Sequence, residues 1–163
     1  MNYKSTILTQ MKLTDLLVQA YLGDLTESEF LKRPGGKANH CAWQLGHLIS
    51  SEAQMMEYVK PGVSPKLPDG FSEKHSKDSS SLNDASAFLK KEEYLKYFAA
   101  QREATRSILE GLTDDDLKRE APDYLRALTP TVGEMMVLIA SHPLMHAGQW
   151  VVLRRELGKP VQI

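Results

Sequence analysis

The stretch that decides the fold is Ser141–Pro160, SHPLMHAGQWVVLRRELGKP. It ends on Gly158 and Pro160, a stop signal for a helix: glycine accepts the left-handed backbone after the last turn, and proline cannot continue it. Upstream, Thr131 and Glu134 form the S/T-x-x-E capping box that starts the same helix. Between those ends Met135, Ile139, His142, His146, Gln149 and Leu153 recur at intervals of four, three, four, three and four. That is the spacing of a seam facing a helical core. The seam therefore places two imidazoles one turn apart on one face. Pro143 stands between them, has no N–H for the carbonyl of Ile139, and predicts a kink.

Three more long stretches carry helical periodicity. Residues 6–22 have Leu8, Met11, Leu16, Leu17, Ala20 and Tyr21 as an apolar stripe and Gly23 as a stop. Thr26 and Glu29 have capping-box spacing for a short helix, and RPGGKAN, 33–39, is a loop. HCAWQLGHLISSEAQMMEYV, 40–59, is the second long helix, with Asn39 as its expected N-cap. The third spans 91–112, with Tyr94, Phe98, Ala104, Ile108 and Leu112 as its stripe, and TDDDLKR after it is a short capped turn. Residues 61–86 hold three prolines, two glycines and the polar run SEKHSKDSSSLND. Such a length is unusual inside a compact domain. It reads as a solvated, partly disordered crossover, with a lid beside a site as the sharper alternative. No strand alternation or internal repeat competes. The fold expected is all-α, a four-helix bundle with a long crossover connection, in one domain over residues 1–163.

Composition closes off several function classes. The chain carries 20 Lys and Arg against 21 Asp and Glu, a formal net charge of −1. That leaves no electrostatic footprint for nucleic acid and no basic block for a membrane surface. No apolar run reads as a membrane span, and MNYKSTILTQMKLTDLL at the N-terminus lacks the h-region of a signal peptide, so the expected location is the cytoplasm. Cys41 is the sole cysteine, which rules out an intramolecular disulfide and a cysteine-rich metal site. It reads as a small buried hydrophobe rather than a nucleophile, since its neighbour His40 points elsewhere on the helix.

The histidines carry the chemistry. An i, i+4 pair can offer two ring nitrogens to one ion, as in zinc sites of the H-E-x-x-H type, although proline at the glutamate position removes the protease reading. A third ligand must come from another segment. His47, in WQLGHLISSE (43–52), borders the apolar surface of Leu45, Leu48, Ile49 and Met56. Facing inward, it completes a three-nitrogen set that leaves a metal position open to water or substrate; facing the rim, it does not. The competing reading is two hydrogen-bonded core histidines with no metal. His40 is expected to face solvent or cap the loop, and His75 to lie in the solvated crossover. Trp43 and Trp150 read as packing near the histidines. Gly148 reads as a point of close helix approach, Gln149 as a hydrogen-bond partner or a polar seam edge, and RREL, 154–157, as a solvated helix end. Catalytic residues stay unassigned; Glu52 is the one carboxylate offered as a general base.

WQLGHLISSE together with HPLMHAGQWVVLRRELGKP resembles the DinB-like (YfiT-like) superfamily of metal-dependent enzymes. The shared pattern is H-x-x-x-H-x-G-Q, then L-R-R-x-L-G-x-P, with W-x-x-G-H-L upstream. The resemblance implies a four-helix bundle of unusual crossover topology and a divalent cation, often nickel or zinc. Carried over by position, the ligands are His47, His142 and His146. It also implies a homodimer acting on a small molecule. Members include bacillithiol and mycothiol S-transferases and a mycothiol-dependent maleylpyruvate isomerase, which points to a low-molecular-weight thiol. The leading expectation is thiol-dependent S-transfer to a small electrophile. The alternatives are a metal-dependent hydrolase and a non-catalytic module that binds metal or a small ligand.

Overall fold

The computed structural model describes residues 2–161. Four long helices form the frame: α1 (Tyr3–Leu22), α2 (Cys41–Val59), α3 (Lys91–Gly111) and α4 (Val132–Glu156). Short helical turns fill the connections, among them Glu27–Phe30, Phe71–Lys74, Lys77–Ser79 and Asp114–Lys118. Among the described residues there is no strand, only an isolated bridge between Glu120 and Thr131. The caps follow local chemistry. Thr131 and Glu134 cap α4 reciprocally. At its far end Gly158 takes φ +67°, and the Lys159 N–H returns to the Arg154 carbonyl at 2.8 Å. The N-cap of α2 is His40 rather than Asn39, because the His40 Nδ1 accepts from the Trp43 N–H at 3.1 Å.

One buried cation joins the four helices. The Arg102 side chain is shut off from solvent, and a guanidinium has five N–H donors. In α1 it reaches the Asp15 carboxylate at 2.7 Å, the Thr14 hydroxyl at 2.9 Å and the Met11 carbonyl at 3.4 Å. In α2 it reaches Glu52 at 3.1 Å, and in α4 the Ile139 carbonyl at 3.1 Å. Thr105 donates to the other oxygen of Glu52 at 2.6 Å. Ile139 is the residue whose carbonyl Pro143 cannot serve. Arg102 therefore supplies the hydrogen bond that the proline withholds, and α4 runs through Pro143 without a break.

This network corrects the expected stripes. In α3 the buried positions are Tyr94, Phe98, Gln101, Arg102, Thr105 and Leu109, while Ala104, Ile108 and Leu112 are not fully buried. In α1 Leu16 is 60% exposed, and Ile7, Met11, Thr14, Leu17, Val18 and Tyr21 face inward. Nor is RREL wholly solvated. Arg154 is buried, paired with Asp24 at 2.6 and 3.1 Å and donating to the carbonyls of Tyr21 and Pro160.

The crossover is largely solvated, as expected, yet it follows a defined path anchored by a few buried side chains. Phe71, His75 and Phe88 are buried in the main apolar cluster or against it. Arg33 clamps the segment, donating to Asn83 Oδ1 at 2.6 Å and to the Ser80 carbonyl at 2.7 Å. His75 is satisfied on both sides: Nδ1 lies 2.6 Å from the Phe71 carbonyl and Nε2 lies 2.8 Å from the Tyr94 hydroxyl. A carbonyl only accepts, so Nδ1 carries the proton and Nε2 takes the tyrosine O–H. α4 is, by length and composition alone, apolar enough to cross a membrane, which corrects the expectation of no such run. Its buried positions form the inner seam of the bundle.

Two outcomes test this frame. Arg102→Lys keeps the charge but cannot fill the fork, and should cost about 3 kcal/mol in urea unfolding. In a Pro143→Ala background the cost should fall by about 1 kcal/mol, because the substituted alanine brings its own N–H to the Ile139 carbonyl. Strictly additive costs would contradict the link. Acid is the second test. Burial pushes His40 and His75 down to about 4, from an ordinary value of 6.5. The unfolded chain then takes up protons first, so stability is full above about pH 6.5 and is lost as pH falls toward 4. The loss at pH 5 should be on the order of 2 kcal/mol per histidine, read as a lower urea midpoint than at pH 7.5.

Candidate metal centre

His142 and His146 project from α4, and His47 meets them from α2. The ring centroids of His47 lie 5.3 Å from His142 and 5.7 Å from His146, and the α4 pair lie 5.1 Å apart. One ligand nitrogen from each ring lies within 4.8 Å of the other two. His142 Nε2 and His146 Nε2 are 3.4 Å apart. Tetrahedral zinc with bonds of roughly 2.1 Å sets neighbouring nitrogens roughly 3.4 Å apart. Pro143 has therefore not splayed the pair, and His47 faces the seam rather than the rim.

A chain of amides fixes the tautomer of His146. Gln44 Nε2 donates to the Asn39 carbonyl, which can only accept, and to Gln149 Oε1 at 3.1 Å. The Gln44 Oε1 is thereby turned to His146 Nδ1, 3.1 Å away. Nδ1 must carry the proton, which leaves a lone pair on Nε2 facing His142. A metal-ligating histidine needs this arrangement: one nitrogen held by an acceptor, the other bare. His47 is held by a stacked Trp43, with centroids 5.1 Å apart and planes at 7°, and its Nδ1 lies 3.5 Å from Ser51 Oγ. The Trp43 indole N–H in turn reaches Ser79 Oγ at 3.2 Å.

Burial keeps the three rings neutral. It pushes His146 down to about 3, with help from His142 and His47, and His142 down to about 4, with help from His47. His47 is lowered too, by burial first and then by the charge of Lys77. The residues present thus fit a divalent cation: three uncharged imidazoles, two with their nitrogens at ligand spacing.

Other expectations divide. Trp43 and Trp150 do pack near the rings, Trp150 with its centroid 6.4 Å from His146. Gln149 acts through Gln44, a residue that sequence reasoning missed. His40 caps α2, the role expected of Asn39, and is buried edge-on against Phe88 rather than facing solvent. Cys41 is buried and its thiol is pushed up to about 12, so it is inert. Glu52 is committed to Arg102 and Thr105, so it is no general base at the rings. Gly148 faces open space; the glycine of close approach is Gly46, where a Cβ would stand 2.2 Å from the His75 ring. Lys77, also missed, borders the cavities beside His47.

A family model described as the DinB superfamily matches residues 11–150. Among solved structures, the chain is similar to YfiT from Bacillus subtilis, described as a probable metal-dependent hydrolase with an unusual four-helix bundle topology. The TM-score is 0.65 at 17% identity, over 96% of this chain and 89% of that one. At that identity the likeness carries the fold. No curated protein sequence matches the chain.

The fit of Gly46 against His75 predicts that Gly46→Ala destabilises the protein by about 1–3 kcal/mol through overpacking. It should also expose the crossover, read as faster proteolysis between residues 61 and 86. Gly148→Ala should leave both unchanged or add slightly to helix stability.

Proposed function

The chain belongs to the DinB superfamily, and from that premise we propose that it is a metal-dependent enzyme acting on a small molecule. His47, His142 and His146 are the ligands, and the cation is nickel or zinc. The single observation that carries the reading is the 3.4 Å spacing of the two Nε2 atoms, with His47 closing the triangle. A divalent cation on three neutral imidazoles keeps an exchangeable position and lowers the pKa of a thiol or water bound there.

The surroundings favour a thiol over water as the nucleophile. Hydrolysis benefits from a general base, and the carboxylates nearby are occupied. Glu52 is bound to Arg102, and Glu57, the one carboxylate bordering the cavities among the described residues, accepts from the Gly62 N–H at 3.0 and 2.9 Å. A thiolate needs no such base once formed. The reaction proposed is S-transfer from a low-molecular-weight thiol to a small electrophile, in the cytoplasm. Gln44 holds the His146 proton on Nδ1, and Trp43 holds the plane of His47. The outward apolar residues of α4 away from the cavity beside His142, namely Val137, Leu144 and Val152, support a homodimer.

Elemental analysis of the purified protein should find about one divalent ion per chain, and His47→Ala should lose most of it while keeping its helical circular dichroism. Metal retained at full stoichiometry in that variant would overturn the ligand set. A screen of thiols with an activated halide or epoxide should show turnover that falls at least about 100-fold in His142→Ala. Ester hydrolysis without any thiol would point to a hydrolase instead.

A further inference from the structure

Two cavities open beside His47, and their walls differ in kind. The larger, of about 500 Å³, lies between α2 and the crossover and is rich in hydroxyls, from Ser50, Ser51, Ser64, Ser72 and Ser76. The smaller, of about 340 Å³, is walled by Met55, Tyr124, Leu125, Leu128, Leu138 and Met145, and reaches His142. His47 and Lys77 border both.

The apolar wall is open to water. Tyr124 is 58%, Leu128 70% and Met145 67% exposed. Large apolar side chains left in water around a polar centre mark a binding groove, and this volume suits a small molecule. At its edge stands Lys77, which has no ion-pair partner among the described residues. Among the described residues, the only carboxylate in either wall, Glu57, is turned to the Gly62 N–H. The boundary between the cavities therefore carries an unmatched positive charge next to an apolar slot.

We propose that the substrate is a small amphipathic anion, a carboxylate on an aliphatic or aromatic arm. The arm lies against Tyr124, Leu128 and Met145, the carboxylate pairs with Lys77, and the reacting atom lies beside the three rings. The position of the chemistry rests on the metal reading above; recognition of the anion does not.

Calorimetric titration with octanoate, octanamide and butyrate tests it, on metal-loaded and metal-free protein. Octanoate should bind about five- to tenfold more tightly than octanamide. That preference should vanish in Lys77→Gln, whose metal content stays at the wild-type level. Butyrate should bind at least about tenfold more weakly than octanoate, and Met145→Asn with Leu128→Asn should flatten the difference. Equal binding of acid and amide to the wild type, a preference that survives Lys77→Gln, or no effect of chain length would each overturn the proposal. Discrimination through Lys77 in a protein that holds no metal would leave it standing and sink the metal reading alone.

Discussion

The bundle depends on one guanidinium with no access to water. Arg102 directs its five donors to three other helices, and a charge buried that way tolerates few alternatives. Two of its partners flank the rings in sequence. Glu52 lies five residues after His47 in α2, and Ile139 lies three before His142 in α4. Holding both at one point fixes the axial register of α2 against α4. Pro143 makes that hold obligatory from the α4 side, because the Ile139 carbonyl has no amide to turn to. The helix breaker and the buried arginine are thus two halves of one arrangement, and the histidine pair begins one turn further along α4.

A second set of contacts closes the site from outside. Gly46 leaves room for the His75 ring, Trp43 reaches Ser79, and Arg33 gathers the end of the crossover. These contacts turn a long connection into a wall and bring Lys77 to the mouth of the cavities. The bundle supplies the three imidazoles and the hydroxyls of Ser50 and Ser51, and the crossover supplies the charge and the remaining hydroxyls around them. This division matches the general pattern in which rigid elements hold reactive groups and connections tune what reaches them.

The four helices and the ring trio are legible in the sequence because both are periodic. A 3.6-residue repeat marks a buried face, and the His142–His146 interval places two rings on it. His47 needs the family resemblance, since its own helix leaves it at the border of the apolar surface. What stays hidden is burial that depends on a partner. Arg102 and Arg154 look like solvated helix charges until Glu52, Asp15 and Asp24 are brought beside them. Gly46 and Gly148 look alike in sequence, and only the packing of the crossover tells the cramped one from the open one. His75 reads as solvated because its neighbours are polar, yet Phe71 and Tyr94 draw the ring inward. Gln44 gives no local signal, because its role is to orient a histidine a hundred residues away.

The three rings come from opposite sides of the crossover: one precedes it in the chain, and two follow it. A cation seated among them would act as a removable clasp, closing a long loop much as a disulfide does but under mass action rather than redox control. With such a cation, the folded state would become firmer or looser with the free-metal level of its surroundings. The hydroxyl-lined wall, which lies within that loop, would be the part of the molecule that feels the difference first.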